Sequence, residues 1–326
     1  MQAMEFRTLG KTDLKVSRLA MGAMTFGGQA PEAEAILMVD RCLEHGINFF
    51  DTANVYNQGK SEIILGKALR GRRHKAVLAT KVRGKMGEEP DDAGLKRPAI
   101  RQAIEASLKR LGTEYVDLYY LHAPDWDTRI EETLDAMDEL VREGKVRYPA
   151  VSNYASWQLV QMLWYCENHG FAPPTVSQPM YNLLARGIEQ DYLACCKEYG
   201  IAVVVYNPLA GGLLTGKHLQ EKPPAAGTRF DSNKIYQDRY WPSSNFDAQH
   251  EVSAIAHPAG MSTIALAFRW LLMQPAVDSV LLGASGIGQL EENLKACEGP
   301  VLTADVLKEC TVVWEKLRGA APKYNR

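Results

Sequence analysis

Several short apolar segments of the chain each end in a polar or ionisable side chain. Asp51, Lys81 and His122 end three consecutive segments, and Tyr56 follows Asp51 by five residues. A lysine removed from water needs an anion, which Asp51 can supply. We expect the cation to lower the pKa of a nearby tyrosine, so that Tyr56 can donate a proton to a carbonyl oxygen as hydride reaches the carbon. His122 can orient that carbonyl through a hydrogen bond, and the set therefore predicts carbonyl reduction.

Three later segments also end in polar residues, which are Ser152-Asn153, Gln178 and Tyr206-Asn207. Each polar residue has a plainer explanation when taken alone. A lone histidine is usually a core residue, Asp and Asn favour turns, and a lysine can simply end an exposed strand. Chance scatter would place some of these groups at the starts of segments instead, so their convergence favours the functional interpretation.

The apolar segments alternate with amphipathic stretches, and this alternation predicts eight strand–helix units. Short apolar runs rich in β-branched residues are typical of strands covered on both faces. The predicted strands cover residues 19–21, 48–51, 77–81, 116–122, 146–152, 175–179, 202–206 and 279–282. The predicted helices cover residues 31–45, 61–69, 98–111, 130–143, 155–169, 190–199, 247–256 and 262–273, with another from about residue 289. Eight units predict an α/β fold of the (β/α)8 TIM-barrel class, since an open doubly wound sheet of that width would be unusual.

Further segments complete the predicted barrel, which spans residues 1–326 as a single domain. An N-terminal hairpin of residues 6–9 and 14–17 is expected to plug the barrel bottom, and residues 303–317 predict an extra C-terminal helix. Residues 207–245 form a long connection, which is usually a functional loop. Because barrel active sites lie at the C-terminal strand ends, we expect the polar residues at one mouth. Pro149 removes a ladder donor from the fifth strand and puts its local geometry in doubt.

The composition limits the classes of function. The chain has 326 residues, with 37 Lys plus Arg against 39 Asp plus Glu, and a net charge of −2 argues against nucleic-acid binding through a basic field. The six cysteines form no Cys-x-x-Cys pair and none has zinc spacing with histidine. We therefore expect reduced core cysteines, no bound metal and a cytoplasmic location. No signal peptide and no apolar stretch of membrane-spanning length is seen, so neither export nor a membrane is expected.

The motifs around these residues resemble those of the aldo-keto reductases over nearly the whole chain. The resemblance rests on Asp51-Thr52-Ala53-Asn54-Val55-Tyr56, Gly59-Lys60-Ser61-Glu62, Thr80-Lys81, Leu121-His122-Ala123-Pro124-Asp125, Ser152-Asn153, Gln178, Tyr206-Asn207-Pro208-Leu209 and Gly283-Ala284-Ser285. It implies a barrel fold and an extended nicotinamide cofactor, bound without the Gly-x-Gly-x-x-Gly fingerprint of Rossmann folds. The catalytic tetrad that it implies is Asp51, Tyr56, Lys81 and His122.

The cofactor that the resemblance implies is NADP(H). Gly211 to Lys217 spell Gly-x-x-x-x-Gly-Lys, but His218 follows where an ATP-binding loop needs serine or threonine for magnesium. The glycine amides and Lys217 are instead expected to hold the cofactor's pyrophosphate. Lys217 and Arg229 are cations suited to a 2′-phosphate. The full set of expected cofactor residues is Met24, Asp51, Ser152, Asn153, Gln178, Tyr206, Asn207, Pro208, Leu209, Gly211, Lys217, Arg229, Gly283, Ser285, Gln289, Glu292 and Asn293.

Within the family, the chain resembles two branches. Arg239-Tyr240-Trp241 is similar to the aflatoxin-aldehyde and succinic-semialdehyde reductases, and Thr25-Phe26-Gly27-Gly28-Gln29 is similar to the potassium-channel β subunits. NADPH-dependent reduction of aldehydes and ketones is the first hypothesis, and a cofactor-sensing interaction subunit is the second. His122 favours reduction, because the channel-type pattern departs from histidine there. A metal-dependent barrel hydrolase would need His-x-His or carboxylate clusters at the strand ends, and the sequence has none.

The expected partner is a small carbonyl substrate that contacts Tyr56 and His122. Trp126 and Trp241 could wall an apolar substrate pocket or could be core and interface aromatics. The C-terminal Arg326 is expected, from an ending similar to that of the aflatoxin-aldehyde reductase branch, to hold a substrate carboxylate at the mouth. Chain ends more often lie in solvent. Neither nucleic acid nor a membrane is an expected partner, and a homo-oligomer is left open.

Overall fold

The computed structural model describes residues 4–231 and 233–320. A two-stranded antiparallel hairpin comes first, formed by β1 (Phe6–Thr8) and β2 (Lys15–Ser17). Eight strands follow it: β3 (Leu19–Gly22), β4 (Phe49–Asp51), β5 (Val77–Val82), β6 (Val116–Leu121), β7 (Val146–Ser152), β8 (Val176–Gln178), β9 (Ala202–Val205) and β10 (Ser279–Gly283). Each of these eight strands is parallel to the next, and β10 pairs with β3, so the sheet closes into a barrel. The predicted (β/α)8 fold with an N-terminal hairpin is confirmed.

Helices surround the barrel and connect its strands. They are α1 (Glu32–Glu44), α2 (Lys60–Ala68), α3 (Arg97–Leu111), α4 (Ile130–Arg142), α5 (Ser156–His169), α6 (Tyr192–Tyr199), α7 (Lys234–Tyr240), α8 (Ser243–Ala256), α9 (Thr263–Leu272), α10 (Ile287–Cys297) and α11 (Ala304–Arg318). The sequence pattern does not predict α7, which lies in the long connection after β9. The side chain of Asn233 accepts a hydrogen bond from the backbone N–H of Tyr236 and so caps this short helix.

Apolar side chains fill the lower half of the barrel interior. We call these residues the inner layer, and it contains Phe49, Ala79, Tyr120, Ala150, Val176 and Val204. Leu9, Leu14 and Val16 belong to the same buried cluster and come from the hairpin and its turn. The hairpin therefore closes the bottom of the barrel, and the upper end is left for the site.

Pro149 lies within β7 without interrupting it. The residue is in register with Tyr119 on β6, and β7 continues to Ser152. Pairing with β8 begins only at Ala150, so the missing N–H falls before that ladder starts. The Pro149 carbonyl still accepts a hydrogen bond from the Thr175 N–H at 3.0 Å. The doubt that the sequence raises about strand-five geometry is wrong for this reason.

The described residues also bear on the predicted cellular context. All six cysteines are free, and four of them are buried. Within the described part of the chain, no helix combines the length and the apolar character that crossing a bilayer requires.

Candidate active site

Side-chain alternation along the strands brings the polar strand ends together. Residues two apart in a strand point to the same face of the sheet. The residues two positions beyond each member of the inner layer form a second tier, which we call the polar layer: Asp51, Lys81, His122, Ser152, Gln178 and Tyr206. The polar layer therefore lies inside the barrel, directly above the inner layer and toward the C-terminal strand ends. This explains why the same alternation that builds the core also gathers the predicted site.

A buried ion pair lies at the centre of the polar layer. Lys81 Nζ donates a short hydrogen bond to Asp51 Oδ1 and a second one, of 2.9 Å, to the Thr52 carbonyl. The Lys81 side chain is 0% exposed and that of Asp51 is 3% exposed. Gln178 Nε2 donates to the other Asp51 oxygen at 2.8 Å. Burial raises the pKa of the Asp51 carboxyl, and Lys81 and Gln178 oppose that shift.

Tyr56 is brought to this pair by a tight turn after β4. Asn57 and Gln58 adopt left-handed φ angles of 49° and 54° in that turn. Asn57 Nδ2 donates to the carbonyls of Met24 and Phe26 at 2.9 and 2.8 Å, which fixes the turn to the loop after β3. As a result the Tyr56 hydroxyl lies 3.4 Å from Lys81 Nζ.

The protonation states of Tyr56 and Lys81 follow from burial and mutual contact. Burial raises the pKa of Tyr56, and the Lys81 charge only partly opposes this effect. The expected net lowering of the Tyr56 pKa is therefore wrong, although the cation does act in that direction. Burial alone would lower the pKa of Lys81, but Asp51 and Tyr56 together raise it above its usual value. The free site thus holds a charged lysine beside a protonated phenol.

His122 faces Tyr56 across the mouth of the barrel. The two rings meet edge to face, with centroids 5.7 Å apart and an interplanar angle of 80°. Burial, assisted by the positive charges of Lys81 and Arg83, lowers the pKa of His122 to about 3. The imidazole is therefore neutral at physiological pH and can donate one hydrogen bond, which is the state that orienting a carbonyl requires.

A cavity of about 740 Å³ opens above the polar layer. Asp51, Tyr56 and His122 line it, and Lys81 lies beneath them. All of the expected cofactor residues line the same cavity: Met24, Asp51, Ser152, Asn153, Gln178, Tyr206, Asn207, Pro208, Leu209, Gly211, Lys217, Arg229, Gly283, Ser285, Gln289, Glu292 and Asn293. Three groups of residues therefore surround one cavity. The first lies at the ends of β7 and β8, the second in the connection after β9, and the third in the loop after β10.

One wall of the cavity is a hydrogen-bonded strip along β7 to β9. Ser152 Oγ donates to the Gln178 carbonyl at 2.8 Å, and the Tyr206 hydroxyl donates to Asn153 Oδ1 at 2.6 Å. Asn153 adopts a left-handed φ of 64°, which turns its amide back so that Nδ2 donates to the His122 carbonyl. These hydrogen bonds hold the polar groups in fixed orientations along one cavity wall, and a flat ring can stack against that wall.

The glycine-rich turn after β9 has the form of an anion cradle. Gly211 and Gly212 have φ angles of 70° and 107°, which only glycine adopts readily, and Lys217 follows them. Nδ2 of Asn207 is buried with no hydrogen-bond partner in the described residues, so a donor is left free at the cavity wall. The Gly212 N–H already donates to the Leu209 carbonyl at 2.8 Å, so the groups of this turn that suit a dinucleotide diphosphate are the free Asn207 amide donor and the Lys217 ammonium.

The loop after β10 and the start of α10 form the opposite end of the cavity. The Ser285 backbone N–H and hydroxyl both donate to Gln289 Oε1 at 3.0 Å. Asn293 Nδ2 donates to the Gly283 carbonyl at 3.1 Å. Gln289 and Asn293 are one helical turn apart and so present amides on one face of α10. This end suits the adenosine half of a dinucleotide.

Residues 18–315 of the chain match the profile of the aldo/keto reductase family. The chain belongs to the aldo/keto reductase family. It is 36% identical over 325 residues to a human protein named aflatoxin B1 aldehyde reductase member 2, covering 94% of this chain and 89% of that protein. It is also 36% identical over 318 residues to a rice (Oryza sativa subsp. japonica) protein named probable voltage-gated potassium channel subunit beta, covering 95% and 96%.

A further relative, named uncharacterized oxidoreductase YrpG, comes from Bacillus subtilis and is 36% identical over 313 residues, covering 90% of this chain and 91% of that protein. Both resemblances that the motifs indicate, to aldehyde reductases and to channel subunits, are therefore present among the relatives. Membership of the family supports an oxidoreductase that acts on carbonyl groups in general.

The long connection after β9 also contributes residues to the cavity, and the sequence analysis gave these residues no role in the site. Tyr236 and Arg239 line the cavity from α7, and the guanidinium carbons of Arg229 and Arg239 each lie 5.6 Å from the Tyr236 ring centroid. Gln29 also lines the cavity, and its side chain donates to the Gly227 carbonyl from the other side. Of these residues, Arg239 belongs to the Arg239-Tyr240-Trp241 motif that the sequence analysis had noted, whereas Tyr236 belongs to no such motif. Gln29 ends the Thr25-Phe26-Gly27-Gly28-Gln29 motif, but that motif indicated only a branch of the family and not this contact, which depends on how two loops meet.

Two predicted substrate residues, Trp126 and Trp241, are not among the residues that line the cavity. Trp126 is 76% exposed and borders a separate surface pocket with Trp157. Trp241 packs against Phe230 and Phe246, with ring centroids 4.9 and 5.1 Å away, as a core aromatic does. Arg326 lies outside the described residues, so its contact with substrate stays a prediction. In the described part of the chain, no group of three or more His, Cys, Asp or Glu is placed to hold a metal ion.

Proposed function

We propose that this protein reduces aldehydes or ketones to alcohols with NADPH, and that Tyr56 is the general acid. The observation that carries the proposal is the contact of one buried cation with two partners. Lys81 Nζ touches Asp51 and, at 3.4 Å, the hydroxyl of Tyr56, while neutral His122 lies across the mouth. The reduced nicotinamide supplies the hydride when it is bound.

Each residue has one task in this reaction. His122 donates a hydrogen bond that holds the carbonyl oxygen near the Tyr56 hydroxyl. Tyr56 keeps its proton in the free site because burial raises its pKa, and it gives the proton to the oxygen as charge develops there. The phenolate that remains is stabilised by Lys81, which is already charged. Asp51 keeps Lys81 protonated and in place.

Substitution of Tyr56 by phenylalanine tests this assignment. Tyr56→Phe should lower kcat by about 10²-fold or more, the scale of general acid catalysis, with NADP+ affinity within about twofold of wild type. NADPH oxidation against a panel of aldehydes, ketones and keto acids measures turnover, and fluorescence titration measures binding. Tyr148→Phe is the control, because it removes a tyrosine hydroxyl that donates to Asp13 and does not line the cavity. Near-normal turnover of Tyr56→Phe would contradict the proposal.

The preference for NADPH is assigned to Arg229. This side chain lines the cavity, where its Nη1 lies 2.8 Å from Met24 Sδ and its guanidinium faces Tyr236. A planar guanidinium that is held in this way can pair with a 2′-phosphate. Arg229→Ala should weaken NADPH binding at least tenfold more than NADH binding, since about 1.4 kcal/mol corresponds to a factor of ten. Equal losses for the two cofactors would remove Arg229 from phosphate recognition.

A cofactor-sensing interaction subunit is the second candidate, because two plant relatives are named as potassium channel β subunits. Such a role needs tight cofactor binding without useful turnover. The panel of carbonyl substrates distinguishes the two, since binding of NADPH with no oxidation by any member of the panel favours the sensing role. The six free cysteines fit a reducing compartment, and we propose the cytoplasm.

A further inference from the structure

His218 directly follows the glycine-rich turn, and its imidazole is buried behind that turn. The residue is only 6% exposed, and its Nε2 has no hydrogen-bond partner among the described residues. A methyl group built on Gly212 would lie 3.7 Å from His218 Nε2 and 3.9 Å from Lys217 Nζ. Gly212 and Lys217 both line the cavity. The unpartnered nitrogen therefore points at the back of the cradle that fits a diphosphate.

The described residues around the imidazole fix its place, and none of them supplies a negative charge that raises its pKa. Phe230 and Trp241 cover the ring edge to face, with centroids 5.0 and 5.5 Å away. From α8 the neutral side chain of Gln249 lies beside Gly216, 3.4 Å from a methyl group built there. Burial, and after it the charge of Lys217, lowers the pKa of His218. The ring is therefore neutral near pH 7 when the cavity holds no anion.

We propose that His218 takes up a proton when a dinucleotide diphosphate enters the cradle, so that cofactor affinity depends on pH. The proposal rests on the cofactor site of the proposed function. A diphosphate brings two negative charges to the far side of Gly212, and these charges favour the imidazolium over the imidazole. In the imidazolium both ring nitrogens are N–H donors that share the positive charge, so the diphosphate stabilises an Nε2 that has no partner among the described residues. By linkage, the diphosphate must bind more tightly as the pH falls through the range in which His218 titrates.

The probe for this proposal is ADP-ribose, because its diphosphate does not titrate between pH 5.5 and 8. NADP+ is unsuitable for the slope, since the second pKa of its 2′-phosphate lies near 6, as for other phosphate monoesters. Calorimetric titration in two buffers of different ionisation enthalpy counts the protons taken up on binding. We expect uptake of about half a proton at the maximum of the uptake curve between pH 5.5 and 8, as a shift of about one pKa unit gives. Since one unit of pKa shift is a factor of ten in affinity, Kd should weaken by up to about tenfold from pH 5.5 to 8.

Variants of His218 distinguish its proton uptake from any uptake by the other titratable groups of the cavity. Asp51, Glu292 and His122 also line the cavity, and all three remain in His218→Gln and His218→Phe. Both variants should bind ADP-ribose with no proton uptake and with a Kd that is flat within about twofold. Phenylalanine keeps a ring between Phe230 and Trp241, so it preserves the packing if the glutamine variant folds poorly. His257→Gln removes an exposed histidine next to α8 and should keep the wild-type slope.

The outcomes are distinguishable from those that test the proposed function. If neither ADP-ribose nor NADP+ binds, the cofactor site itself is wrong. If ADP-ribose binds to the wild type without proton uptake, or if His218→Phe retains the uptake, only the role of His218 is overturned.

Discussion

Removing the buried cation is the sharpest test of how the polar layer is held together. Lys81→Met keeps most of the side-chain volume and deletes the charge. Asp51 is then left with a 3% exposed side chain and with Gln178 as its remaining side-chain donor. Breaking one partner of a buried ion pair usually costs about 3–5 kcal/mol, because the other charge stays desolvated. We expect a loss of unfolding free energy of that size.

The double variant Asp51→Asn with Lys81→Met should recover most of this loss. Asparagine keeps an oxygen that can accept from Gln178, and no buried charge remains, so the double variant should lie within about 1–2 kcal/mol of wild type. Asp51→Asn alone leaves the charge of Lys81 buried without its partner, so this variant should also be less stable than the double variant, and the four proteins together give the coupling free energy of the pair. The penalty in Lys81→Met should also shrink as the pH falls from 8 to 5, because protonation neutralises the isolated Asp51 carboxyl.

Urea denaturation of the four proteins, followed by tryptophan fluorescence, measures these free energies. The dependence of the unfolding free energy on urea concentration, the m value, must be the same for all four proteins for their free energies to be compared. A Lys81→Met variant no less stable than the double variant would refute the reasoning, since it would mean that Asp51 does not depend on its cation. A pH-independent penalty would refute the assignment to the Asp51 carboxyl.

Two further predictions concern stability. His122 has a pKa of about 3 in the folded protein and titrates near 6.5 when unfolded. Between these values the unfolded chain binds more protons, so the free energy of unfolding falls as the pH is lowered. Between pH 7 and pH 5 the wild type should lose about 2 kcal/mol more than His122→Asn in urea denaturation, and equal losses would mean that the imidazole is not buried neutral. A methyl group on Gly66 of α2 would lie 2.4 Å from the Leu111 carbonyl oxygen, so Gly66→Ala should cost about 3 kcal/mol. A methyl group on Gly288 of α10 meets nothing within 4 Å, so Gly288→Ala should instead raise the unfolding free energy by about 0.5 kcal/mol. Thermal melts of the two variants test this pair, and melting temperatures that shift in the same direction would contradict it.

The barrel and its polar layer could be predicted from the sequence because both depend on local alternation. Asp51 and Lys81 each lie two residues beyond an inner-layer residue, so a strand assignment is enough to place them on one face. The net pKa shift of Tyr56 could not be obtained in this way. It depends on how completely the closed barrel excludes water from the phenol, which no local pattern encodes.

The cavity wall from the long connection was predictable only in part. Gly211 and Lys217 carry a recognisable spacing, whereas Tyr236 reaches the cavity through α7, whose start depends on the single capping residue Asn233. The contact of Gln29 with the Gly227 carbonyl joins loops almost two hundred residues apart. Trp126 shows the opposite case, since its type suggested a pocket and its loop instead leaves it on the surface.

The stacking of the polar layer on the inner layer constrains how this protein can change over evolutionary time. Asp51, Lys81 and Gln178 stand on the same strands that form the barrel wall, two residues above the side chains that fill it. A substitution that altered the wall would change the support of Tyr56, the proposed proton donor, and the packing of the barrel together, so selection can seldom separate the two. The connection after β9 adds residues such as Tyr236 and Arg239 to the mouth without crossing the wall. If the proposed reaction holds, changes in that connection can alter the substrate while the barrel keeps the residues of the chemical step.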